Sequence, residues 1–102
     1  MTELYELIVA NFDPAKAQEL DVIVGVDAPP DRFIFSIRNA VLTPLDAAVQ
    51  PHFSLLFSSQ AIAIAMLNRR IQPIDAFMAQ DFSSDGYIVT SFRVLAALNA
   101  YP

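Results

Sequence analysis

The residues able to do chemistry are few and widely spaced. His52 is the one histidine, and there is no cysteine. A metal site on one histidine needs further ligands, and no residues at ligand spacing surround it. A histidine at a strand start beside Pro51 reads as a surface or hydrogen-bonding residue. Asp81-Phe82-Ser83-Ser84-Asp85 could hold a cation but lacks the full EF-hand spacing, so a turn is expected. Ser58 and Ser59 precede an apolar run without the glycines of a nucleophile elbow, and read as helix caps. Arg69-Arg70 is the basic pair. It could attract a phosphate or carboxylate headgroup, or sit as solvated charge at a helix C-terminus. Asp13, Asp21, Asp27, Asp31 and Asp46 fall where turns and caps want them. No general acid–base pair stands out. The residues point to no catalysis, no metal and no cofactor.

The elements that would position these side chains are unusually apolar. Of 102 residues, 55% are hydrophobic and 17% charged, against roughly 45–50% and a quarter in ordinary domains. A small domain has much surface for its volume and should carry more polar residues, not fewer. The excess indicates a subunit interface, an internal apolar cavity, or both. A net charge of −5 argues against a nucleic-acid partner. Met1-Thr2-Glu3 is acidic and no apolar leader follows, so a cytoplasmic location is expected. The clean apolar run Ala61–Leu67 is too short to span a bilayer, so no integral membrane segment is expected.

The length suggests one domain over residues 1–102. Thr2 to Phe12 reads as a helix capped by Thr2, with a turn opened by Asp13-Pro14. Asp21–Asp27 and Arg32–Asn39 read as an antiparallel hairpin around Pro29-Pro30. Ala40–Leu45 follows as a strand at an edge, because of Pro44, and His52–Ser58 as another. Helices are expected at Gln60–Asn68, at Ile74–Gln80 after Pro73, and at Tyr87–Asn99. Asp81–Gly86 makes a turn or a fifth short strand. Strands followed by helices indicate an α+β fold: an antiparallel sheet with helices on one face. The Ala61–Leu67 helix is apolar all round, so it needs the sheet on one side and further cover on another. The closing helix, through Phe92 and Leu95, is the candidate.

The order of elements resembles the sterol carrier protein-2 (SCP2) domains. The residues carrying the likeness are His52-Phe53-Ser54-Leu55, Gln60–Leu67, Ile71-Gln72-Pro73, Ala76-Phe77-Met78, Asp85-Gly86 and Val89–Leu98. It covers roughly Pro14 to Leu98 and is strongest from His52 onward. Where the family usually has a glycine before the proline, this chain has Asn68-Arg69-Arg70. The resemblance implies a five-stranded sheet, helices on one face and a hydrophobic tunnel between them. Family members bind fatty acids, acyl-CoA, sterols or other apolar chains, act as accessory domains of alkylsulfatases, or serve quinone biosynthesis. Phe57, Ile62, Met66, Phe77, Met78, Phe92 and Leu95 would then line the tunnel, with Arg69 and Arg70 at a headgroup. Such a carrier needs a cavity on the order of 300 Å³ or more. The alternative is an interaction module, self-associating or docked on a partner enzyme.

Overall fold

The computed structural model describes residues 3–100; Thr2, the expected first cap, lies outside them. Strand β1 (Val22–Ala28) pairs antiparallel with β2 (Asp31–Arg38) around Pro29-Pro30, whose peptide bond is cis. Strand β3 (Val41–Leu45) follows through Asn39 and Ala40, at φ 54° and 61°, the two left-handed positions of a type I′ hairpin. Strands β4 (Phe53–Phe57) and β5 (Phe82–Ser84) complete the order β3-β2-β1-β4-β5. Pro44 lies on edge strand β3, where no ladder donor is missed.

The sheet is mixed rather than wholly antiparallel, because β4 runs parallel to β1. Register explains how a short connection achieves this. Leu45 is opposite Ile34, which is opposite Gly25, while Phe53 is opposite Val24. The chain therefore leaves β3 and joins β4 at nearly the same height, and residues 46–52 step straight across β2 and β1. They cross on the face away from the helices, with Gly25, Ile34 and Ser54 beneath them, and enclose a groove of about 490 Å³. Gly25 lets the crossing chain come close. A Cβ would stand 2.5 Å from Ser54 Oγ and 3.3 Å from Pro51 Cγ.

Helices α1 (Glu3–Asn11), α2 (Gln60–Leu67), α3 (Pro73–Met78) and α4 (Ile88–Ala97) supply the other layer. Ser59 caps α2, its Oγ accepting from Ile62 N at 3.3 Å. Pro73 opens α3 at its first turn. Asp13 caps a short 3₁₀ turn, Pro14–Ala17. Alternate residues of the strands face the helices: Val24, Val26 and Ala28; Phe35 and Ile37; Phe53 and Leu55. Against them lie Leu4 and Ile8, Ala63 and Met66, and Val94, Leu95 and Leu98. Each fully buried large side chain contributes about 2 kcal/mol of transfer free energy. The second cover of α2 includes α1, whose Asn11 Nδ2 donates to Leu67 O at 3.1 Å.

Helices α2, α3 and α4 close in one way. After each cap comes a left-handed residue: Arg69 (φ 61°), Gln80 (65°) and Asn99 (57°). In each, paired amides return to the last turn, as in Arg69 N to Met66 O and Arg70 N to Ala65 O. This is the Schellman pattern, usually built on glycine.

Candidate functional site

Between helices and sheet lies one small apolar void. Helix α1 contributes Leu4 and Ile8, α2 contributes Ala63, Met66 and Leu67, and α4 contributes Leu95 and Leu98. Val26 of β1 and Leu55 and Phe57 of β4 close it from below. Its volume is about 10 Å³, at the threshold for holding a single water, and no polar side chain lines it. The layers therefore meet, and the expected tunnel is closed in this structure.

Three of the expected lining residues, Phe57, Met66 and Leu95, come together at this void. Ile62 is half-buried and packs against the same core. Phe92 stands edge-on to Phe82, ring centroids 6.3 Å apart, and Phe82 stacks on Phe57 at 5.2 Å. Phe82 is fully buried and belongs to this aromatic group; of the two sequence readings of Asp81–Gly86, a turn or a fifth short strand, the strand is the one formed, at Phe82–Ser84. The alternation Phe82, Ser84 was the available signal. Phe77 and Met78 do not reach the void; they are 38% and 76% exposed. Helix α3 is only six residues long and buries Pro73 and Ala76, which turns the two large side chains outward.

One end of the helical layer is polar. Asn99 Nδ2 donates to Asn11 O (2.6 Å), Lys16 Nζ donates to Asn99 Oδ1 (2.9 Å) and Arg69 Nε donates to Asn99 O (2.9 Å). Asp13 N donates to Ala97 O at 2.8 Å. The C-termini of α1, α2 and α4 thus converge, and two cations meet their partial negative charges. Arg69 is engaged in this structural bond, while Arg70 is exposed.

His52 and Asp85 extend the sheet. His52 N donates to Ile23 O at 2.8 Å, and Ile23 N donates back to His52 Nδ1 at 3.0 Å. Asp85 N likewise donates to Ser54 O, and Ser54 N to Asp85 Oδ1. Each side chain stands in for a strand carbonyl. Tyr5, edge-on to Phe33 at 5.3 Å, is buried, and desolvation raises its phenol above the ordinary 10.0. Among the described residues no group of three His, Cys, Asp or Glu side chains is placed to hold a metal.

No protein-family model matches the sequence, nor does any curated protein. Solved structures do. The chain superposes over its whole length, and over the whole of the other, on sterol carrier protein-2 from Aedes aegypti in complex with the C16 fatty acid palmitate, with a TM-score of 0.67 and 10% identity. The fold is that of the SCP2 domains. A ubiquinone synthesis protein, UbiJ-SCP2, matches 94% of this chain with 82% of its own at TM-score 0.67 and 13% identity. The inverting sec-alkylsulfatase Pisa1 from Pseudomonas sp. matches 91% of this chain at TM-score 0.77 and 15% identity. This chain spans 15% of that enzyme's length. The SCP2 fold places the void of this chain between its sheet and its helices, and no helix among the described residues is long and apolar enough to cross a membrane.

Proposed function

We propose that this domain is a non-enzymatic carrier, residing in the cytoplasm, that shelters an apolar chain between helices and sheet. The ligand class is a fatty acid, acyl-CoA, sterol or quinone-like lipid. The observation carrying this reading is the fold, shared with a palmitate-bound SCP2 structure; the seam between the layers is wholly apolar and, at about 10 Å³, closed. Apolar packing is non-directional and can part and reclose. Phe57, Met66 and Leu95 would touch the chain first, with Ile62 and Phe92 flanking it as the layers part. Native mass spectrometry of protein purified from cells, followed by lipid extraction, tests this. Mass increments matching extracted lipids are expected. Bare protein that also fails to retain added palmitate would sink the reading.

A second reading is a docking module for a like copy or a partner enzyme. It is favoured by the exposed apolar side chains Ile74 and Met78 on α3 and Tyr87 and Val89 at the start of α4. The likeness to a segment of a longer alkylsulfatase agrees with it. A strict monomer by light scattering at high concentration counts against self-association.

A further inference from the structure

We infer that the groove beneath residues 46–52 binds a small zwitterion of the α-amino acid class. Its carboxylate would meet Arg32, its ammonium Asp27, and its apolar side chain Ile34 and Leu56. This groove lies on the face of the sheet away from the helices. It is separate from the void and does not depend on the carrier reading.

The groove measures about 490 Å³, within the range of small-molecule sites, and the chain that covers it is held at both ends. At its start Asp46 takes two amides, Ala48 N on its Oδ1 at 2.8 Å and Val49 N on its carbonyl at 3.0 Å. At its finish His52 exchanges two bonds with Ile23. Beneath it Gly25 has no Cβ, and Ser54 Oγ stands over that gap, 2.5 Å from where a Cβ would be.

Register places the charged groups. The next row on this face, toward the Pro29-Pro30 turn, sets Arg32, Asp27 and Leu56 side by side on β2, β1 and β4. All three line the groove. Facing side chains of a cross-strand pair start with Cβ atoms about 5 Å apart, and opposite charges so placed attract. Yet among the described residues Asp27 and Arg32 form no ion pair and no side-chain hydrogen bond, with each other or elsewhere. A carboxylate and a guanidinium thus stand as neighbours, each with its bonding capacity unspent, and Asp27 is half-buried.

The balance of charge selects the ligand. Two carboxylates, Asp27 and Asp85, line the groove against one guanidinium. A simple anion meets net repulsion there, and a simple cation leaves Arg32 unmatched. Asp85 is already engaged, its Oδ1 accepting from Ser54 N. The pair left to act is Asp27 with Arg32. An α-amino acid carries its ammonium and carboxylate on one carbon, so both can reach such a pair together. Each contact is a charge-assisted hydrogen bond, bidentate at the guanidinium. Ile34 follows Arg32 on the same face and Leu56 flanks Asp27, which gives the remaining substituent an apolar floor.

Amide correlation spectra of the whole chain test this, with L-alanine, L-valine, L-leucine, L-methionine and L-phenylalanine added in turn as probes. At least one should shift the Gly25, Arg32 and Ser54 amides saturably, leaving Met66 and Leu95 at the void unmoved. The N-acetyl form of that amino acid lacks the ammonium, and its amide lacks the carboxylate. Each should bind at least about tenfold more weakly, the loss expected for one charge-assisted bond. Asp27→Asn and Arg32→Gln should weaken the unmodified amino acid by a similar factor. The proposal is overturned if no probe shifts these amides up to about 10 mM, enough to reveal a Kd of about 1 mM. Equal binding of the N-acetyl form, or wild-type affinity in both variants, overturns it as well. Should a variant's spectrum depart from the wild-type fold, the two derivatives on wild-type protein decide alone.

Discussion

At one end of the helical layer, α1, α2 and α4 run their last carbonyls into donors from Asn11, Asp13, Lys16, Arg69 and Asn99. At the other, the start of α4 meets β5 through the rings of Phe82 and Phe92 and a hydroxyl pair, with the chain just before it paired to β4 through Asp85 and Ser54. The two ends do different work. Hydrogen bonds are directional and costly to leave unmade, so the first end is held in one geometry. Apolar contact falls off smoothly as surfaces part, so the second can loosen without stranding a polar group.

Leu95 lies between the two ends, on the void. Leu95→Ala should destabilise by about 3 kcal/mol, read as a lower urea midpoint at unchanged slope. A loss under about 1 kcal/mol would mean that the layers already collapse freely onto each other. Asn99→Ala attacks the polar end and should cost about 1 kcal/mol, since it leaves the part-buried Asn11 carbonyl without its donor while the exposed Lys16 returns to water. Exchange should then rise at the C-termini of both α1 and α4. Ser91→Ala attacks the loose end and should cost about 1 kcal/mol, with faster exchange confined to the first half of α4. Loosening spread over the whole layer by this change would erase the contrast. Tyr5→Phe addresses the alkaline limb of stability. Burial raises the Tyr5 phenol, so the folded state holds its proton more tightly than the unfolded state. That contribution is complete below pH 10.0 and is lost as pH rises through the raised value. Wild type should therefore lose stability in alkali, and Tyr5→Phe should lose less, as measured by thermal unfolding across pH.

Much of this was legible in the sequence because local chemistry dictated it. Ser59 is an acceptor placed before an apolar run, and Pro73 fits a first helical turn; both act as their types require. The alternation Phe33, Phe35, Ile37 gave the inward face of β2 correctly. The parallel pairing of β4 with β1 was not legible, since residues 46–52 carry turn chemistry that says nothing of which strand is reached. Phe77 and Met78 misled for a related reason. Their spacing from Ile74 fits a helical stripe, but tertiary contacts chose the Pro73–Ala76 side. At the void, Met66 and Leu95 were readable as core-type residues, whereas the Asn11–Asn99 bond joins positions far apart in the chain and leaves no local trace.

The placement of glycine bears on the state that the structure does not depict. Among the described residues, Asn39, Ala40, Arg69, Gln80 and Asn99 take positive φ, and neither Gly25 nor Gly86 does. Both glycines serve close approach, Gly86 against Phe53. A side chain in the left-handed region costs about 1 kcal/mol. Yet a residue with a Cβ explores fewer conformations when unfolded than glycine, a difference of about 0.5–1 kcal/mol. The strain in the folded turns is thus largely offset by a stiffer unfolded chain. Glycine at Ala40 or Gln80 would relieve the turn while loosening the denatured ensemble, and the melting temperature would barely move.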